Sequence, residues 1–335
     1  MIGYYIHHHG TGHRNRAQSI CTQLDAPVTA LTSLEHVEPH PFDAVLVLPR
    51  DDAGKADNAD AHGVLHWAPH HHTGLRERMA LIAQWVADVA PTAAVVDVSV
   101  EVATLVRLLG VPVVVVAMPG DRVDAPHRLV YQLADHILAP WPQGLYEPDW
   151  LRPHAHKTSY VGGISRFDGR PPDLSERVEA ATVLVLHGTG GSAVSLDMIS
   201  ACADAHPEYH WRSLGLAGGP WAHDPWPAIC AADVIIAHAG QNCVADIAAA
   251  GKPAIIIAQD RPFDEQVATA QILARAGLAV VIDDWPELNA WPALITAARD
   301  LDAHRWTRWQ TAGAAARAAQ AVADVAYRCA PNGEA

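Results

Sequence analysis

Short runs rich in valine and isoleucine alternate along the chain with longer stretches of alanine, leucine and arginine. The runs are IGYYIH (2–7), DAVLVLP (43–49), AAVVDV (93–98), VPVVVVA (111–117), TVLVLHG (182–188), EYHWRSLG (208–215), DVIIAHAG (233–240), KPAIIIAQ (252–259) and GLAVVI (277–282). Brief, continuous apolar runs of this kind predict strands buried on both faces. Between two of them, SVEVATLVRLLG (99–110) puts Val102, Leu105, Val106 and Leu109 on one helical face, with Gly110 and Pro112 ending the helix. Strand–helix–strand alternation predicts parallel sheets covered by helices on both sides.

The rhythm pauses around residues 140–175, where APWPQGLYEPDWLRPHAHK and GGISRFDGRPPDLSER are dense in Pro, Gly and Trp. It then resumes. The expected fold class is α/β, with two doubly wound, Rossmann-like domains facing a cleft. The first covers 1–162, a linker 163–180, and the second 181–335. The tail from about residue 286, with AAARAAQAVADVA, is helical by propensity, and its last helix is a candidate to return to the first domain.

With 335 residues, half of them hydrophobic, two cores can be filled. A net charge of −14 disfavours nucleic acid as a partner and argues against charge-driven docking on an anionic membrane. Five scattered cysteines without a C-x-x-C pair suit reduced thiols and a cytoplasmic setting. The opening residues lack the basic start and apolar stretch of a secretory leader. No apolar run reaches the ~20 residues of a transmembrane helix.

Three loops carry candidate chemistry. In HHHGTGHRNRA (7–17), Gly10, Thr11 and Gly12 expose amides where a strand turns into a helix starting near Arg14. His13 then stands at the carboxyl edge of the sheet, where open α/β folds bind ligands. Asn15 replaces the third glycine of a dinucleotide fingerprint. In HGTGGSA (187–193), Gly188, Thr189, Gly190, Gly191 and Ser192 offer a backbone cradle for a diphosphate, without the lysine of a P-loop. In HAGQNCVAD (238–246), His238, Gly240, Gln241 and Asn242 open a helix that Gly251 closes, and Asp246 follows Asn242 by one turn. An acid there can accept from a ribose diol. Beyond the next strand, AQDRPFDEQ (258–266) gathers Asp264, Glu265 and Gln266, side chains suited to sugar hydroxyls.

The pattern H-x-G-x-N-x-x-x-[DE], a proline-containing strand and then [DE]-Q resembles the donor signature of nucleotide-sugar glycosyltransferases of the two-Rossmann GT-B architecture. The nearest kinds are the UDP-glycosyltransferases and the family with the lipid II N-acetylglucosaminyltransferase, whose carboxy-terminal domain is that of family 28. The resemblance implies that His238, Gly240 and Asn242 serve the phosphates, Asp246 the ribose, and Glu265 and Gln266, with Asp264 nearby, the transferred sugar. It implies His13 as general base. Three departures stand out: Cys243 where Ser or Thr often meets phosphate, Asp246 for the commoner Glu, and Gln241 for a frequent Trp.

The implied reaction is an inverting displacement from a UDP- or dTDP-sugar to an acceptor hydroxyl, with no further cofactor and no metal. A base near the acceptor takes its proton. Asp97, ending its strand, is either the residue that orients His13 or the N-cap of the helix after it. Acceptor-side candidates are Gly10, Thr11, Gly12, His70, His71, His72 and, in MPGDRVDAPH (118–127), Arg122. The acceptor stays open among small molecules, lipid-linked sugars and glycans. Competing readings are a nucleotide-sugar 2-epimerase and a non-catalytic nucleotide-sugar binder; a dinucleotide oxidoreductase is disfavoured by the missing glycine.

Overall fold

The computed structural model describes residues 1–329 apart from 9–10, 35–36, 38–39, 53–55, 189–190 and 192. The expectations for Gly10, Thr189, Gly190 and Ser192 lie outside the described residues. The first sheet consists of β1 (Ile2–Ile6), β2 (Val28–Thr32), β3 (Ala44–Val47), β4 (Ala93–Asp97), β5 (Val113–Val116), β6 (His136–Ala139) and β7 (Thr158–Tyr160). Its order is β3-β2-β1-β4-β5-β6-β7, and the paired strands are parallel. The second sheet holds β8 (Ala181–Leu186), β9 (Tyr209–Leu214), β10 (Val234–His238), β11 (Ala254–Ile257) and β12 (Val280–Ile282), ordered β12-β11-β10-β8-β9 and again parallel.

The helices are α1 (Gly12–Cys21), α2 (Thr73–Val89), α3 (Val100–Leu108), α4 (Ala125–Leu133), α5 (Leu196–Ala205), α6 (Trp226–Ala231), α7 (Gln241–Ala250), α8 (Glu265–Ala276), α9 (Trp291–Arg299) and α10 (Ala314–Arg328). Successive residues of β1 point to opposite sides, so Ile2, Tyr4 and Ile6 join one core with α1 and α10, and Tyr5 joins another with α2 to α4. Gly3 sits between them because a Cβ there would strike the Trp85 ring of α2. In the second domain, Ile235 and Ile256 pack under α6 to α8, and Ile236 and Ile255 under α5 and α9.

Helix α10 is the last described element, yet Ala318, Ala319, Val322 and Val325 are buried with Ile2 and Tyr4 of the first sheet. Arg317 ties the crossing down by donating to the carbonyls of Val161 and Gln310. Two expectations are corrected. Helix α1 begins at Gly12, two residues early. On α3, the face turned inward is Val100, Val102, Ala103 and Val106, whereas Leu109 lies past the last turn and is exposed.

Candidate functional site

Pairing of Ile6 with Asp97 aligns the carboxyl ends of β1 and β4. The chain leaving β1 enters α1, so His13 on its first turn comes over the end of β4. Nδ1 of His13 lies 2.9 Å from Oδ1 of Asp97. Asp97 is fully buried. Ser99, not Asp97, caps α3, its hydroxyl accepting from the Val102 amide. That leaves the carboxylate to the imidazole. Burial alone would raise the Asp97 pKa, but Arg16 and His13 hold it well below the usual carboxylate range. An ionised Asp97 only accepts, so a proton on Nδ1 points at it and Nε2 carries the basic lone pair.

Arg16 was not singled out by sequence reasoning. It lies one turn from His13 and is buried, with Nε and Nη2 donating to both oxygens of Asp97 at 2.9 and 2.8 Å. Its Nη1 donates to Oε1 of Gln241 across the cleft at 2.9 Å. Burial works against its charge, and Asp97 outweighs that, so the Arg16 pKa is raised. The available signal was its i+3 spacing from His13 on the helix that faces the cleft.

Across the cleft, α7 starts at Gly240 without a side-chain cap, leaving its first amides for a ligand. Gln241 meets Arg16, and Asn242 donates from Nδ2 to the Gly12 carbonyl at 2.8 Å. These two residues therefore latch α7 to α1. Gly188 has open space where a Cβ would stand, and Gly191 has a φ of +84°. His238 is fixed by its Nδ1, which donates to the Ile257 carbonyl at 2.9 Å, and burial lowers its pKa. In its neutral form the other nitrogen accepts, so it meets a phosphate oxygen only as the cation. Cys243 packs toward the core, and burial pushes its thiol up to about 12, so it stays protonated.

The structure corrects three further expectations. Asp246 does not stand open to a ribose. Its carboxylate is buried, accepts from the Ser165 hydroxyl at 2.7 Å and pairs with Arg166 at 3.4 Å, because this face of α7 packs on the linker. Burial pushes its pKa up to about 6 against those partners. Gln266 is buried and accepts from the Gln259 amide, so it shapes the loop before α8. His70, His71 and His72 do not line the cavity described below, and His72 caps α2 by accepting from Leu75. Glu265 does face the cleft. Burial raises its pKa, opposed by Arg122, Arg16 and His13. Asp264 beside it is exposed.

A cavity of about 470 Å³ opens in the first domain beneath the cleft. Arg122 lines it, paired with Glu265 at 3.5 Å and lying over the Phe263 ring at 4.5 Å. Phe263 reaches it from the second domain because Gly120 leaves room: a Cβ there would strike the Phe263 carbonyl, which instead accepts from the Asp121 amide. His66, Asp124 and His127 meet at the cavity wall, groups of metal-ligating type that sequence reasoning did not connect. Nε2 of His66 lies 3.0 Å from Asp124, and Nδ1 of His127 lies 2.6 Å from it. The Arg122 guanidinium stands 3.4 Å from Nε2 of His127 and can only donate. Nδ1 of His127 then keeps its proton and points it at Asp124. Burial and Arg122 push the His127 pKa down to about 4. Asp124 thus joins the two imidazoles by hydrogen bonds.

Two Rossmann-like domains, with a His–Asp pair on one and a bare helix start on the other, define a GT-B protein. Its fold matches the calicheamicin glycosyltransferase, with a TM-score of 0.66 at 18% identity over 98% of this chain and 99% of that one. It also matches MurG of Acinetobacter baumannii, with a TM-score of 0.63 at 18% identity over 96% and 99%. Residues 177–326 match the family model described as the glycosyltransferase family 28 C-terminal domain. A curated relative is the UDP-N-acetylglucosamine–N-acetylmuramyl-(pentapeptide) pyrophosphoryl-undecaprenol N-acetylglucosamine transferase of Sorangium cellulosum (strain So ce56), 30% identical over 256 residues. The match covers 66% of this chain and 61% of that relative, so the chain spans about three-fifths of its length. Among the described residues, no helix is long and apolar enough to cross a membrane.

Proposed function

We propose that this chain is a glycosyltransferase that moves a sugar from a UDP- or dTDP-sugar to an acceptor hydroxyl with inversion, on the cytoplasmic side of the cell. The observation that carries the reading is the His13–Asp97 pair at 2.9 Å, set opposite the start of α7 by two cross-cleft hydrogen bonds. Nε2 of His13 takes the acceptor proton as the oxygen attacks the anomeric carbon. Asp97 holds the tautomer and stabilises the imidazolium that forms. The leaving diphosphate settles against the open amides of α7 and the loop after β8, where the helix dipole favours negative charge. Glu265 lies on the same side as the departing sugar and is a hydroxyl partner. The family match over the second domain and the names of the curated relatives support a UDP-sugar donor.

The test is mass spectrometry of UDP-sugar reactions with and without candidate acceptors. UDP release that depends on acceptor, paired with a new glycoside, is the expected result. Sugar isomerisation without acceptor would instead establish the epimerase, and binding without turnover the non-catalytic reading.

A further inference from the structure

The cavity of about 470 Å³ lies within the range of pockets that hold drug-sized ligands. Met79, Val115, Met118, Val130, Trp67 and Phe263 give it apolar walls. Its charged lining groups are spent on one another. Asp51 pairs with Arg78 at 2.9 Å, and Arg122 with Glu265. One oxygen of Glu101 accepts from the amides of His66 and Trp67, and the other from the Ser99 hydroxyl. A ligand carrying a pyrophosphate would find no free cation in it among the described lining groups.

Two polar groups in the wall remain. The Tyr131 hydroxyl has no hydrogen-bond partner among the described residues, and its ring is stacked between Trp150 and His127. His66 uses Nε2 on Asp124, and its Nδ1 has no hydrogen-bond partner among the described residues. The cavity also adjoins the His13–Asp97 pair. His7 lines it with its ring 5.6 Å from that of His13, and Met118 lines it within 3.5 Å of Arg16.

We propose that this cavity holds a compact, ring-bearing, largely apolar acceptor whose far hydrogen-bonding group is read by Tyr131 and His66 while its reactive hydroxyl faces His13. This rests on the glycosyl-transfer reading and narrows it. The acceptor in the names of the curated relatives is a lipid-linked pyrophosphoryl sugar, a charged group for which the described lining groups leave no unpaired cation.

The probe is umbelliferone, a fluorescent hydroxycoumarin, titrated into the full chain without donor, with UDP binding followed separately by calorimetry. Saturable binding is expected at one site. It weakens about tenfold in Tyr131→Phe with His66→Phe, the loss of roughly one or two hydrogen bonds. Met79→Trp, which fills the chamber, is expected to abolish it. UDP affinity stays at the wild-type value in both variants, which also shows that they are folded. Umbelliferone binding untouched by these changes, or no saturable binding in the wild type, would overturn the proposal. So would glycosylation of a lipid-linked pyrophosphoryl sugar that survives Met79→Trp. A chain that binds umbelliferone but not UDP would sink the transferase reading and leave the cavity assignment standing.

Discussion

His13 and Arg16 share one carboxylate, and that sharing sets the character of the site. An imidazole beside an unshared aspartate would feel its whole charge; here Arg16 takes part of it while fixing Asp97 in place. His13→Ala is expected to cut turnover by about 10²–10⁴ while leaving UDP affinity nearly unchanged, which steady-state kinetics and calorimetry separate. Loss of UDP binding in that variant would show that the base has been misassigned. Asp246 gives a second residue-scale expectation. Its folded pKa, about 6, lies above its ordinary value, so the folded state keeps a proton that the unfolded chain gives up. Stability from this group therefore falls as pH rises through about 4 to 6 and is flat above. Its burial costs on the order of 2–3 kcal/mol at neutral pH. Asp246→Asn should gain on the wild type in thermal melts as pH is raised from 4.5 to 7, and a difference that shrinks would contradict this.

At the scale of elements, the central apolar strands were legible in the sequence because both faces of a parallel sheet are covered there, whereas β3 and β12, read the same way, lie at sheet edges and are only partly buried. β2, β6 and β7 were not legible. β2 carries two threonines, buried because the Thr32 hydroxyl donates to the Ile6 carbonyl, a bond that hydropathy does not register. β7 is a short, half-buried edge strand. Within the candidate site, the placement of His13 and of the start of α7 at strand ends was readable from spacing. The partners of Asp246 and Gln266 were not, since they depend on how α7 and α8 rotate against the linker and the preceding loop. The hydrogen-bonded set of His66, Asp124 and His127 joins residues nearly sixty apart and has no local signature. Helix α10 offers a test of the packing: Val322→Asp buries an unpaired charge beside Ile2 and Tyr4 and is expected to cost about 3–5 kcal/mol in chemical denaturation. Tyr327→Asp, on the exposed side of the same helix, should change little.

Across the whole molecule, the contacts that close the cleft among the described residues include Arg16 to Gln241, Asn242 to Gly12, and Asp121 to Phe263, beside the Arg122–Glu265 pair. In the proposed reading, each joins a group that serves one substrate to the domain that holds the other. Gly120→Val should disrupt the third. Its φ of +102° is strained for valine, and the side chain would meet the Phe263 backbone. The expected result is a raised acceptor KM with donor affinity retained, and an unchanged acceptor KM would show that Phe263 does not wall the cavity in solution.

In the proposed reaction, the second domain receives a nucleotide diphosphate at the loop after β8 and the start of α7. A crystal structure of the chain with UDP tests it most directly. The diphosphate is expected between Gly188 and Gly240, within hydrogen-bond reach of the first amides of α7 and across the cleft from His13. UDP seated elsewhere, or an ordered site that stays empty at saturating UDP, would contradict it.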